Sequence, residues 1–266
     1  MALFNKQTPY EKELSSVIKK EQNFLMKRLE KKDNILNQKL AEKVPQKLQS
    51  TLNDAFYGAF WLIFEKGTSV IEKTYRKDEI ERTYLVNEYA DNIKQNKKTL
   101  KTFSKQATNS GTVNLLLSGA SGIGMGALGI GIPDIPLFTG MVFRSIYEIA
   151  LSYGFEYESE KEKYFILMLI QGAVSYGVDL KKINCGIDDY MENEMLPINY
   201  DKLGQIRAVS AALSNELLYM KFLQGIPIVG VVGGASDAIY MKQILEYVNL
   251  KYKHRFLLKR GKNMCK

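Results

Sequence analysis

Between Gln106 and Pro133 the chain carries no charged residue, and glycine recurs at 111, 119, 122, 124, 126, 129 and 131. A stretch of that length could cross a bilayer. It has few large apolar side chains, however, and glycine at such spacing also lets helices approach closely in a soluble core. Gly119, Gly122, Gly126 and Gly129 are therefore read as close-packing positions, and insertion of 112–133 stays open. A second glycine-rich turn, Gly225-Ile226-Pro227-Ile228-Val229-Gly230, leads into Val231-Val232-Gly233-Gly234-Ala235-Ser236-Asp237. Gly230, Gly233 and Gly234 are given the same role.

Within the first stretch, Gly124-Met125-Gly126-Ala127-Leu128-Gly129 matches the spacing of a dinucleotide fingerprint, and Glu148 stands where a ribose-binding acid would fall. That fingerprint works only when a strand delivers the glycines to a helix N-terminus whose amides hold the pyrophosphate. Pro133 and Pro136 would stop such a helix within two turns, and no strand–helix alternation surrounds it. Close helix packing is the better reading. No Lys-Ser or Lys-Thr follows the glycines, so a phosphate-binding P-loop is excluded.

Elsewhere the apolar residues recur at three- and four-residue steps, which predicts helices. Leu14, Val17, Ile18, Phe24, Leu25 and Leu29 mark an amphipathic N-terminal helix. Pro45 ends it, and Leu48, Leu52, Ala55, Phe56, Ala59, Phe60, Ile63 and Phe64 mark a second helix that closes before Gly67. Lys77 to about Ala107 carries fewer apolar residues and many lysines, which predicts a solvated helix or long hairpin arm that adds little to the core. Pro136 to Tyr153-Gly154 forms another helix. Ser159 and Glu162 suggest a capping box for the next, buried nearly all round through Phe165, Leu167, Met168, Leu169 and Ile170. Residues 179–200, acidic and broken by Gly186 and Pro197, read as a loop with a short helical turn. Helices follow from Asp201 to Leu223 and from Asp237 into the basic C-terminus. Sustained period-two alternation is absent. The expected fold is all-α: a multi-helix globular bundle with glycine-rich central helices, divided as 1–45 (amphipathic helix), 46–250 (helical domain) and 251–266 (basic tail).

The formal charge of +8 is unevenly placed: +7 over residues 1–109, −6 over 110–250 and +7 over 251–266. Basic ends around an acidic, apolar middle suit an anionic surface such as the cytoplasmic face of a membrane. Lys251, Lys253, Arg255, Phe256, Leu257, Lys259, Arg260 and Lys262 mix basic and large apolar side chains as a surface-lying helix does. A solvated helix end, with cations complementing the helix dipole, explains them equally well. Nucleic-acid recognition would want a defined motif with interleaved aromatics, and none is visible.

Cys185 and Cys265 are far apart, which suits neither a disulfide framework nor a metal cage and fits a reducing compartment. His254 is the single histidine and is read as an exposed tail residue. No metal or cofactor is expected. The N-terminal twenty residues interleave Lys and Glu, so no secretory signal is expected there. Asp134, held between two prolines, is the best carboxylate for chemistry, with Arg144 beside it and Asp237 in the matching position of the second glycine-rich stretch. Helix N-capping is the simpler role for both aspartates.

The ordered blocks Gly119 to Gly131, Asp134-Ile135-Pro136-Leu137, Arg144-Ser145-Ile146-Tyr147-Glu148-Ile149-Ala150 and Tyr153-Gly154-Phe155 resemble the EcsC family. Pro227 to Gly234 and the closing Tyr252-Lys253-His254-Arg255-Phe256 resemble that family's end. Glu156 and Asp237 depart from its pattern. The family takes its name from a bacterial gene beside genes for an ABC transporter. The resemblance thus implies a bacterial, cytoplasmic or membrane-associated protein and supplies no catalytic residues. The leading expectation is a non-enzymatic accessory protein at the cytoplasmic membrane face, bound to an anionic surface or to membrane transporter components. A hydrolase using Asp134 and Arg144, and a nucleic-acid binder using both basic ends, are the alternatives.

Overall fold

The computed structural model describes residues 7–29, 46–65, 68–109, 135–224 and 233–264. Among the described residues every regular element is a helix and there is no strand: α1 (Pro9–Lys27), α2 (Gln46–Glu65), the single turn α3 (Ser69–Glu72), α4 (Lys77–Lys94), α5 (97–109), α6 (Ile135–Ser152), α7 (Glu160–Val174), α8 (Gly177–Asn193), α9 (Lys202–Gln224) and α10 (Gly233–Met264). The fold is the all-α bundle that the periodicities predict.

Two apolar helices organise it. Phe165 to Ile170 are all buried, so α7 needs partners on every side, and α8, α9 and α10 supply them. A helix apolar all round is stable only when fully enclosed. The second, α6, is covered by α2, α3, α4 and α10. Its Phe143 meets Phe60 and Phe64 edge-on at ring separations of 5.2 and 5.3 Å, a favoured aromatic geometry. α10 touches both central helices, and α1 lies along it.

Gly154 ends α6 in the left-handed region, at φ +76°. A Cβ there would run into the end of the Tyr84 ring on α4, and the left-handed turn itself calls for glycine.

Several expectations need correction. Residues 179–200 are mostly helix, not loop: α8 buries Leu180, Asn184, Ile187, Tyr190 and Met191 on one face. The segment from 77 to 109 is a hairpin of two helices, one of the two forms expected, but its second arm adds to the core while the first buries only Asp91. Gln95 adopts the left-handed conformation at φ 42°, and the Asn96 side chain then accepts from the amides of Lys98 (2.9 Å) and Thr99 (3.1 Å) to start α5. Leu100, Phe103 and Ala107 of α5 are buried. The predicted capping box at Ser159 is half formed: Ser159 Oγ accepts from the Glu162 amide at 3.1 Å, while the Glu162 carboxylate turns inward to other partners. A full capping box occurs instead at Thr8 and Glu11. α10 runs unbroken past residue 250, so the basic segment to Met264 continues that helix.

Candidate functional site

The basic C-terminal half of α10 lies largely inside the protein. Lys251 is wholly buried, its ammonium 2.7 Å from Asp188 Oδ1 on α8 and 3.4 Å from Glu21 Oε2 on α1. Lys253 meets Glu13 at 2.8 Å. His254 Nδ1 lies 3.0 Å from Glu21 Oε2, so it is a packed residue of the α1–α10 contact and not an exposed tail position. Arg255 donates through Nη1 to both Glu162 oxygens, at 2.9 and 2.7 Å, and through Nη2 to Glu194 at 3.0 Å. Its guanidinium also lies over the rings of Phe155 and Phe165. Arg260 reaches Asp91 Oδ2 at 2.6 Å and Asn92 Oδ1 at 2.9 Å. Phe256 and Leu257 are buried in the apolar core.

A charge is buried at tolerable cost only where an opposite charge and hydrogen bonds replace water. Here α1, α4, α7 and α8 each bring an acid to α10. Burial drives the Glu162 carboxyl upward, against the pull of Arg255 and of the Tyr252 hydroxyl, which donates at 2.7 Å. Burial also opposes the charge on Arg255, but Glu162 overrides it and holds the guanidinium charged. Arginine does not lose its proton in proteins, so the guanidinium stays charged beside Glu162. Burial, then the adjacent Glu162 carboxylate, keep the Tyr252 phenol protonated.

Of the eight residues expected to form a basic surface, Lys251, Arg255, Phe256 and Leu257 thus face inward, and Lys253 and Arg260 are committed to acids. Lys259 and Lys262 are exposed, although Lys262 donates to the Glu192 carbonyl at 3.1 Å. The acid partners were missed because they lie on four other helices, remote in sequence.

Arg144, proposed for chemistry, is paired with Glu148 one turn along α6 at 2.9 Å. Asp134, Gly119, Gly122, Gly126, Gly129 and Gly230 lie outside the described residues, as does the fingerprint-like run. Gly233, Gly234 and Asp237 fall in the first turns of α10. Among the described residues no group of three or more His, Cys, Asp or Glu side chains is placed to hold a metal ion, and no helix is long and apolar enough to cross a membrane.

A cavity of about 520 Å³ opens where the hairpin meets the ends of α1 and α10, lined by Tyr10, Tyr84, Glu88, Asp91, Tyr153 and Arg260 among others. Two of its charged groups are already engaged, since Tyr84 donates to Glu88 at 2.8 Å and Arg260 is held by Asp91, while the exposed Lys259 on the same lining has no acid partner among the described residues. On the hairpin above it the situation reverses. Residues 92–109 hold five lysines, at 94, 97, 98, 101 and 105, and no acid. All five are exposed, and none forms an ion pair with a described residue.

The fold and these charges define an all-α protein with an internally paired polar core and a helical hairpin bearing solvent-facing lysines. The family model described as the EcsC protein family matches residues 10–257, and the chain belongs to that family. The match begins within α1 and includes most of α10. "Protein EcsC" of Bacillus subtilis (strain 168) is 26% identical over 212 residues, 78% of each chain. "Uncharacterized protein YdbA" of the same organism is 26% identical over 159 residues, 59% of this chain and 57% of that protein, so the match spans little more than half of that relative. No solved structure matches.

Proposed function

We propose that this chain is a non-enzymatic accessory protein that works at the cytoplasmic face of a membrane, attached peripherally. One observation carries the reading: the acid-free run 92–109 presents five lysines to solvent without a described acidic partner. Unpaired lysines held together on rigid helices attract an anionic surface, and each contributes about 1 kcal/mol near such a surface at physiological salt. The inward-facing bases of α10, in contrast, are paired with acids of neighbouring helices, as in a structural network. A membrane transporter as the eventual partner accords with the gene neighbourhood from which the family takes its name.

The test is partition of the full chain between soluble and membrane fractions, followed by washes in high salt and in alkaline carbonate. The reading expects membrane association that high salt releases. Recovery entirely in the soluble fraction would overturn it, and retention through carbonate would replace surface attachment with insertion.

A further inference from the structure

The cavity where α1, α4 and α10 meet measures about 520 Å³, inside the range of about 300–1,000 Å³ that small-molecule sites occupy. Its lining is held in place by the protein's own hydrogen bonds. Tyr10 Oη donates to the Leu257 carbonyl at 2.8 Å, Tyr153 Oη to Asn249 Oδ1 at 2.9 Å and Tyr84 Oη to Glu88 Oε1 at 2.8 Å. The three tyrosines join Leu100 and Phe256 as aromatic and apolar lining. Gly154, also on the lining, leaves open the space that a side chain would take beside the Tyr84 ring. Fixed apolar walls of this kind cost a ligand little ordering of the protein.

Four charged side chains line the cavity, and two of them cancel. Arg260 of α10 and Asp91 of α4 pair at 2.6 Å. Glu88 and Lys259 are left. Glu88 is half-buried on α4, and it accepts from the neutral Tyr84 hydroxyl without an ion pair to any described residue. Lys259 is exposed on α10 without an acid partner among the described residues, its ammonium 5.5 Å from the centre of the Phe155 ring. The helix ends reinforce this separation of charge. Glu88 stands within two turns of the C-terminal end of α4, and Asn92 and Gln95 from that end also line the cavity. Lys259 is instead beside the first turn of α1, where Tyr10 bonds to Leu257 and its hydroxyl packs against Gly261. The carbonyl end of a helix attracts cations and its amide end attracts anions. The α4 side of the cavity therefore favours an ammonium, and the α1–α10 side favours an anionic group.

We propose that this cavity binds a small zwitterion, a molecule with one ammonium and one carboxylate or phosphate on a short, partly apolar body. Glu88 takes the ammonium, Lys259 takes the anionic group, and Tyr10, Tyr84 and Phe256 enclose the body. Both contacts are charge-assisted hydrogen bonds. A simple anion would bring its charge to Glu88 without compensation, and a simple cation would do the same to Lys259, so neither fits as well as the molecule that carries both charges. A free α-amino acid and the headgroup of an ethanolamine phospholipid share this chemistry. The site uses none of the hairpin lysines and does not depend on the membrane-face reading.

The experiment is calorimetric titration of the full chain with phenylalanine, glycerophosphoethanolamine, phenethylamine and 3-phenylpropionate, each up to about 10 mM. E88Q and K259Q are titrated beside wild type. Glutamine at 88 still offers Tyr84 an acceptor and Lys259 is exposed, so both variants keep the fold, which circular dichroism checks. Wild type binds at least one of the two zwitterions and holds phenethylamine and 3-phenylpropionate about tenfold or more weakly. Each variant loses about tenfold or more of the zwitterion affinity. The losses are crossed: E88Q binds 3-phenylpropionate better than wild type does, and K259Q binds phenethylamine better, a pattern that a loosened structure would not produce. Binding of phenylalanine assigns the site to free amino acids, and binding of glycerophosphoethanolamine alone assigns it to the lipid headgroup. Absence of binding by both zwitterions overturns the proposal, as do singly charged analogues that bind equally well or variants that bind as wild type does. None of these failures touches the membrane-face reading, which fractionation decides.

Discussion

Residues 251–262 and 94–105 are both lysine-rich helical segments, yet one is built into the core and the other into the surface. The difference lies in which helical face the cations share. In α10, Lys251 and Arg255 fall on the same side as Tyr247, Val248 and Tyr252, all of them buried, so packing the aromatics carries the cations inward. In α5 Lys98, Lys101 and Lys105 fall opposite Leu100, Phe103 and Ala107, Lys97 lies on the flank, and all four remain in water. Net charge along a chain therefore says little about where charge is used, whereas its phase against the apolar stripe says a great deal.

The comparison can be broken most forcefully at Arg255. Arg255→Ala leaves Glu162 buried without its counter-charge and should cost about 3–5 kcal/mol, read as a lowered denaturation midpoint; a change below 1 kcal/mol would mean that the pair is not buried as described. Phe103→Ala removes the ring that anchors the hairpin on α10 and should cost about 3 kcal/mol, at the low end for such truncations because the hairpin can settle into the gap. Thr8→Ala removes the α1 capping box and should cost about 1 kcal/mol by the same measurement.

A further effect, smaller again, concerns acid. Glu72 loses some ionisation to burial, but the Tyr157 hydroxyl, donating at 2.6 Å, and Lys77 together hold its pKa below the ordinary 4.5. A carboxyl lowered on folding contributes stability that is complete above about pH 4.5 and is lost as pH falls through its folded value. Glu72→Gln should therefore flatten the stability profile below pH 4.5, and an unchanged acid limb would remove Glu72 from that role. Least of all, Lys98→Glu should leave stability within about 0.5 kcal/mol of wild type, while vesicle binding falls; a large stability loss would mean that Lys98 has a partner.

Much of this was legible in the sequence. The stripes of α2, α6 and α7 are strongly apolar, and they pack as the periodicity predicts. α8 was hidden because Asp188, Asp189, Glu192 and Glu194 crowd its end and a buried Asn184 occupies a core position, which weakens the apolar repeat. The Glu162 side chain looked like a local cap because Ser159 precedes it by three residues; only the approach of Arg255, ninety-three positions away, shows its other use. Glu13 and Glu21, spaced with Val17 and Phe24 on one face of α1, were a readable sign of buried acids awaiting cations. Their partners required the packing of α1 along α10.

The contrast between the two lysine-rich segments is tested most directly by amine labelling of the native protein, with modification at each lysine followed by mass spectrometry over time. The account predicts rapid modification of Lys97, Lys98, Lys101 and Lys105 and protection of Lys251 until the protein is unfolded. Labelling of Lys251 at the rate of Lys98 in the folded protein would contradict it.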